Sequence, residues 1–305
     1  MGKIAFVFSG QGGQYSGMGK SLTEASNAAK EVFDVSDSIR PGTSEQCFEG
    51  SAEQLKETKN TQPCIYTVDL AAAEALRASG VKADMLAGFS LGEIAALTYS
   101  GAVSQKAGFD LVCKRGKLMQ AAGEKNPGVM AAILKLDRQE VESLAEGYIN
   151  VFPVNYNCPG QIVVSGKESE IESFKESVKQ AGGRAMQLKV GGSFHCPFMA
   201  EAADGFEAVL EETPVAQPEC VIYSNRTGRP YEGDIKLLLC EQIKSPVLWQ
   251  DIIEHMIASG ADIFIEVGPG KTLCGLISKI SKDVRTYNVE DAESLEATLK
   301  GLGIC

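Results

Sequence analysis

Ala87-Gly88-Phe89-Ser90-Leu91-Gly92-Glu93 sets a serine between two glycines, in the pattern G-x-S-x-G, where an apolar run meets a helix-forming one. Before it, Met85-Leu86-Ala87 fits the end of a buried strand. After it, Leu91, Ile94, Ala95 and Leu97 recur at helical spacing, and Glu93 suits a first helical turn. A sharp turn from strand to helix needs glycines on either side of the serine, so that the backbone can crowd together and the hydroxyl stands clear at the helix start. The stretch therefore reads as a nucleophile elbow. With 32 glycines in 305 residues the pattern alone is weak, and its flanks carry the reading.

Working outward, Ile4 to Phe8 is an apolar run closed by Ser9-Gly10, as in a strand buried on both faces of a parallel sheet. An alanine-rich helix is expected over 62–79 and a second over 105–122. The stretch from 124 to 191 changes character. It reads as a strand at 129–134, a helix at 138–146, a hairpin of 151–156 and 161–165 across Cys158-Pro159-Gly160, a helix at 171–181 and a strand at 184–190. That βαββαβ order fits a ferredoxin-like unit inserted into a larger domain made of 1–123 and 192–305. Beyond it the α/β rhythm returns: a strand at 221–223, helices at 235–243 and 246–259, a strand at 262–267, a helix after Lys271 and a strand at 284–289. The fold class is α/β, with a mostly parallel main sheet.

Composition narrows the class without naming an activity. Hydrophobic residues at 44% and charged residues at 23% are ordinary for a globular chain, and the net charge of −11 argues against a broad nucleic-acid surface. The nine cysteines contain no C-x-x-C pair, which fits reduced thiols rather than a disulfide frame or a zinc site. No apolar stretch approaches 18 residues and the first run is too short for a signal peptide, so a cytoplasmic protein with no membrane association and no bound metal is expected. Nucleotide loops fail on their glycines: Tyr15 stands where G-x-G-x-x-G needs its third, and Gln14 and Ile265 replace the first glycine of the two P-loop-like endings at Gly19-Lys20-Ser21 and Gly270-Lys271-Thr272.

Three further residues bear on chemistry. At 100° per residue Arg115 shares a helix side with Leu111, Val112, Leu118 and Met119, while Asp110, Lys114 and Lys117 lie opposite. A guanidinium aimed inward needs a carboxylate, either the protein's or a bound one. A serine needs a base, and there are two histidines. His255 falls at the polar margin of its helix and is expected at the solvated surface. His195, in the non-periodic Gly191-Gly192-Ser193-Phe194-His195-Cys196-Pro197, lies where the inserted segment rejoins the main one, a place where loops line clefts. No acid with a clear signature follows, so a dyad steadied by a carbonyl stands beside a full triad.

With these residues in view the chain resembles, over nearly its whole length, the malonyl-CoA:acyl carrier protein transacylase family of type II fatty acid synthesis. The resemblance rests on six motifs in order: Phe8-Ser9-Gly10-Gln11-Gly12-Gly13-Gln14, Gly88 to Glu93, Arg115-Gly116-Lys117-Leu118-Met119, Asn155-Tyr156-Asn157-Cys158-Pro159-Gly160-Gln161, Phe194-His195 and Glu266-Val267-Gly268-Pro269-Gly270-Lys271. It implies an α/β-hydrolase-like large domain, a ferredoxin-like insertion and a site between them. It further implies Ser90 as nucleophile, His195 as base, Gln242 as the acceptor of the histidine's hydrogen bond, and the N–H groups of Gln11 and Leu91 as oxyanion hole. Arg115 would bind the malonyl carboxylate, with Phe89, Met119 and Phe194 lining the acyl pocket.

Malonyl-CoA and an acyl carrier protein would be the partners, with phosphopantetheine carried by the latter and no cofactor of the chain's own. One departure stands out: the family usually has histidine where this chain has Phe89, and a phenyl ring donates no hydrogen bond. Phe194 matches the bulky choice that crowds out a methyl branch. The same motifs also admit an acyltransferase serving a polyketide synthase, an acyl-thioester hydrolase, or a non-catalytic module that binds a carrier protein.

Overall fold

The structure is a computed structural model describing residues 2–188 and 190–304. The chain opens with β1 (Lys3–Phe8), then α1 (Lys20–Ala25), α2 (Asn27–Ile39), α3 (Thr43–Glu49), α4 (Ala52–Lys56) and α5 (Thr58–Ala78), followed by β2 (Met85–Gly88), α6 (Gly92–Tyr99) and α7 (Gln105–Lys125). A second stretch holds β3 (Val129–Leu134), α8 (Arg138–Ala145), β4 (Val151–Cys158), β5 (Gln161–Gly166), α9 (Glu168–Gln180) and β6 (Arg184–Gln187). After a 3-10 turn at Pro197–Met199 come α10 (Ala200–Glu211), β7 (Val221–Tyr223), α11 (Ile235–Lys244) and α12 (Trp249–Ala258). The chain ends in β8 (Ala261–Val267), α13 (Thr272–Ile280), β9 (Arg285–Val289) and α14 (Ala292–Leu302).

Five strands form one sheet in the order β7-β2-β1-β8-β9, with every pairing parallel. β1 is its centre because Ala5 to Phe8 are apolar on both faces and fully buried. The register sets Phe8 beside both Gly88 and Val267, so the turns after β1, β2 and β8 emerge together at the carboxyl edge of the sheet. In open parallel sheets that edge is where ligand clefts form. The remaining strands form an antiparallel sheet in the order β4-β5-β3-β6, with its own apolar core around Ile133, Val164 and Phe174.

The two sheets are joined through the segment before α12. Tyr156 N–H donates to Val247 O at 3.0 Å and Val247 N–H to Val154 O at 2.8 Å, which continues β4 onto the main body. This pairing explains why the helix expected from 246 begins only at Trp249: the backbone of Val247 is already engaged in strand-like bonds. The strand expected over 184–190 is described as far as Gln187; Leu188 N–H still donates to Met130 O at 2.8 Å, and Lys189 lies outside the described residues.

Helices α1 to α4, α10 and α14 lie outside the elements read from periodicity. α1, α3 and α4 bury one or two residues each, too few to show a stripe. α10 and α14 do carry legible ones, at Ala202, Ala203, Phe206 and Leu210 and at Leu295, Thr298 and Leu302. The eight described cysteines are all free thiols, five of them buried.

The elbow is held by backbone contact. A Cβ on Gly88 would lie 2.0 Å from the carbonyl carbon of Gly92, and one on Gly92 would lie 2.5 Å from the carbonyl oxygens of Phe8 and Ser9. Strand, turn and helix thus touch where no side chain fits. Gly275, inside α13, is the contrasting case: a Cβ there would meet nothing within 4 Å. Gly88→Ala is therefore expected to lower unfolding free energy by at least about 2 kcal/mol, or to abolish soluble expression, whereas Gly275→Ala should be neutral or stabilising by up to about 1 kcal/mol. Urea denaturation of both variants checks the contrast.

Candidate active site

Ser90 has φ of 55° and His195 φ of 59°, so both sit in the left-handed region that non-glycine residues seldom adopt. At Ser90 the strain has a visible restraint. Its N–H donates to Asn225 Oδ1 at 2.7 Å, while Asn225 Nδ2 donates to Gly88 O at 2.6 Å, so one buried asparagine clamps both sides of the turn. The result points the hydroxyl away from the sheet.

Ser90 Oγ lies 2.8 Å from His195 Nε2. His195 Nδ1 is 2.9 Å from the main-chain oxygen of Gln242, and a carbonyl can only accept; Nδ1 therefore carries the proton and Nε2 is free to take one from the serine. The imidazole is thus oriented by a carbonyl, one of the two arrangements open from sequence. Burial and the nearby Arg115 cation push its pKa down to about 4, keeping it neutral as a base must be.

Arg115 is 1% exposed. Its guanidinium donates to Gln62 Oε1 at 2.9 Å, Gln242 Oε1 at 2.8 Å and Ser90 Oγ at 3.1 Å, and among the described residues no carboxylate lies within salt-bridge distance of it. Of the two partners admitted by sequence, a protein carboxylate is absent from direct contact and a bound one remains. The cation is desolvated enough to lower its pKa to about 10. On the opposite side of α7, Lys114 pairs with Asp110 at 2.7 Å in solvent, as the helical spacing requires.

Behind these groups stands Glu93, in the first turn of α6 as expected and fully buried. It accepts from Gln242 Nε2 at 2.6 Å, from the Asn225 N–H at 3.3 Å and from the Tyr231 hydroxyl. Burial raises its carboxyl to about 7 against the pull of these donors. Gln242 is the hub, since its Nε2 also donates to Ser90 O at 2.8 Å.

A cavity of about 90 Å³ opens beside Ser90 and His195, lined also by Phe89, Met119 and Phe194, the three residues expected around an acyl group. A larger cleft of about 390 Å³ continues from it between the two sheets, sharing Gln11, Phe89 and Asn155 as lining and reaching Asn157 and Gln161. Neither the Gln11 nor the Leu91 N–H has a protein acceptor among the described residues, and both residues border the small cavity. Phe89 fills its place with its ring 5.4 Å from that of Trp249, an apolar contact. His255 departs from expectation: it is half-buried, with Nδ1 2.8 Å from Gly228 O. The hydrogen bond draws it inward from the polar margin.

Sequence reasoning misses Gln62, Asn225 and Tyr231. The signal for Gln62 is a polar residue on the buried stripe of α5; Asn225 and Tyr231 lie around a turn without periodicity and offer none.

A model of the acyl transferase domain matches residues 5–299. The malonyl CoA-acyl carrier protein transacylase of Bacillus subtilis (strain 168) is 40% identical over 310 residues, covering 99% of this chain and 98% of that protein. Among solved structures, the malonyl CoA-acyl carrier protein transacylase from Clostridium perfringens is similar with a TM-score of 0.95 at 42% identity, covering 99% of this chain and 97% of that one. A malonyl-transacylase in complex with its type II PKS acyl-carrier protein is similar at a TM-score of 0.92 and 32% identity, covering 98% and 99%. Fold, site geometry and these likenesses agree, and the chain belongs to the acyl transferase family, among its malonyl CoA-acyl carrier protein transacylases.

Proposed function

We propose that this protein transfers the malonyl group from malonyl-CoA to the phosphopantetheine thiol of an acyl carrier protein, through a malonyl ester on Ser90. The observation that carries the reading is a serine hydroxyl set between a neutral imidazole at 2.8 Å and a buried guanidinium at 3.1 Å that no carboxylate among the described residues contacts. His195 Nε2 takes the Ser90 proton as Oγ attacks the thioester carbonyl, and the N–H groups of Gln11 and Leu91 receive the developing oxyanion. Collapse expels the coenzyme A thiolate, which takes the proton back from His195. The carrier's thiol then loses its proton to His195, attacks the ester and releases Ser90 with that proton.

Arg115 pairs with the malonyl carboxylate, and Gln62 and Gln242 hold its planar guanidinium aimed at it. An acetyl group would leave this buried cation without its charged partner, which disfavours acetyl donors. Phe89 contributes shape and no hydrogen bond, so carboxylate recognition falls to Arg115; Phe194 and Met119 close the cavity against a methyl branch. The amide-bearing pantetheine arm suits the larger cleft, where Asn155 Oδ1 and Asn157 Oδ1 are buried without a partner among the described residues.

In this reading the large unit, 1–123 with 192–305, is α/β-hydrolase-like and the inserted unit, 124–191, is ferredoxin-like, the latter supported by its β4-β5-β3-β6 order. Transfer to a polyketide carrier would use the same chemistry, and the relative solved with a type II PKS carrier keeps that partner open.

Intact mass spectrometry after mixing with malonyl-CoA should show a malonyl adduct on the wild type, absent from Ser90→Ala and discharged onto holo carrier protein; release as free acid would instead indicate a hydrolase. Arg115→Ala should lower malonyl kcat/KM on the order of 100-fold while reducing acetyl loading far less. An equal loss for both donors would sink the assigned role.

The pH profile follows from His195. A base is active only when neutral, so with its pKa lowered to about 4 the acid limb of kcat/KM for acetyl-CoA, a donor that makes no demand on the carboxylate site, should fall well below pH 6.5. Removing the neighbouring cation in Arg115→Ala should move that limb upward. A limb near pH 6.5 in both proteins would contradict the assignment.

A further inference from the structure

We propose that Glu93 is a positioning residue that selects for carboxylated acyl donors, by fixing the Gln242 side chain so that its oxygen, and not its nitrogen, faces Arg115. This rests on the reading of Arg115 as the group that binds the malonyl carboxylate. Gln242 makes four contacts at the site. Its main-chain oxygen holds His195, its Oε1 holds Arg115, and its Nε2 is shared between Ser90 O and Glu93 Oε2. An amide has two faces of nearly equal shape, and only its neighbours decide which way it sits. Turned over, Gln242 would aim its oxygen at the Glu93 carboxylate and its NH2 group at the Arg115 guanidinium, an acceptor against an acceptor and donors against donors.

Glu93 is suited to this task because a carboxylate only accepts. Its two oxygens are surrounded by donors from three segments: Gln242 Nε2, the Asn225 main-chain N–H and the Tyr231 hydroxyl. In its ionised form, which prevails above the raised pKa of about 7, it therefore has no face to offer the Gln242 oxygen. Glu93 also stands one residue removed from Arg115, without direct ion pairing. A carboxylate in direct contact would compete with the substrate for the guanidinium. Placed behind Gln242, it offsets part of the buried positive charge and leaves the substrate-facing side open.

The base does not depend on this amide, since His195 is held by the main chain of Gln242. Loss of Glu93 should for that reason affect donor choice more than the chemical step. In Glu93→Gln the new amide can turn its NH2 group toward Gln242, which removes the carboxylate's share of the constraint and leaves only Ser90 O and Arg115 to oppose the reversed orientation, with little change in volume.

The test compares kcat and KM for malonyl-CoA and acetyl-CoA in the wild type, Glu93→Gln, Tyr231→Phe, Arg115→Ala and the Glu93→Gln/Arg115→Ala double variant. Glu93→Gln should lower the malonyl-to-acetyl ratio of kcat/KM about 10-fold, chiefly through the malonyl KM, and Tyr231→Phe should shift it the same way by a smaller factor. In the Arg115→Ala background, Glu93→Gln should leave the ratio where Arg115→Ala put it.

Equal losses for both donors, or a further drop in the ratio once Arg115 is gone, would overturn the proposal. If Arg115→Ala itself leaves the ratio unchanged, the assignment of Arg115 fails and the proposal falls with it. A selective Arg115→Ala beside a non-selective Glu93→Gln rejects Glu93 alone. Should Glu93→Gln fail to fold, Tyr231→Phe decides: an unaltered ratio overturns the role.

Discussion

A guanidinium buried without a carboxylate in contact is the constraint on which the site depends. Taking such a cation out of water is costly, and here it is held by the oxygens of Gln62 and Gln242 and by the Ser90 hydroxyl. Each of those neutral partners must in turn be held. Gln242 is fixed by Glu93 and the Ser90 carbonyl, and Gln62 donates from its nitrogen to Met119 Sδ at 3.3 Å. Burial, and after it the same charge, lowers the pKa of His195 to about 4 and keeps the imidazole beside Ser90 neutral.

Backbone crowding supplies the other half of the arrangement. Gly88 and Gly92 let the end of β2, the start of α6 and the end of β1 touch directly, and Asn225, just past the neighbouring strand β7, locks the resulting turn. Because β1, β2 and β8 run in parallel and in register, the turns that follow them open on one edge, facing the antiparallel sheet, which Val247 joins to the main body through β4. The cleft is therefore a consequence of topology: one wall carries the turn after β1 and Phe89, the other carries Asn155 and Asn157, and Ser90 lies in the adjoining cavity.

Local patterning was enough for much of this. The strands at Val129–Leu134 and Val221–Tyr223 coincide with the expected ones, since a short apolar run bounded by polar or turn residues has few other ways to be buried. The inward face of Arg115 follows from helical geometry alone. Where reading failed, a longer-range contact had taken over: the pairing of Val247 with β4 delays α12, and the bond to Gly228 draws His255 inward. The short helices α1, α3 and α4 bury too little to announce themselves.

The sequence by itself determined that a serine stands in a strand-to-helix turn, that an arginine points into the core and that a histidine lies in a loop between segments, because each follows from neighbours within a few residues. Only the tertiary structure decided that these three meet within hydrogen-bonding distance, and that Arg115 meets amides where a protein carboxylate was equally open. It also made Glu93, which does stand in the first turn of α6, the anchor of Gln242, 149 positions away in the chain. Periodicity reports which side of an element is buried. It carries no information on what lies opposite, and the partners of a buried polar group are set by whatever the folded chain brings there.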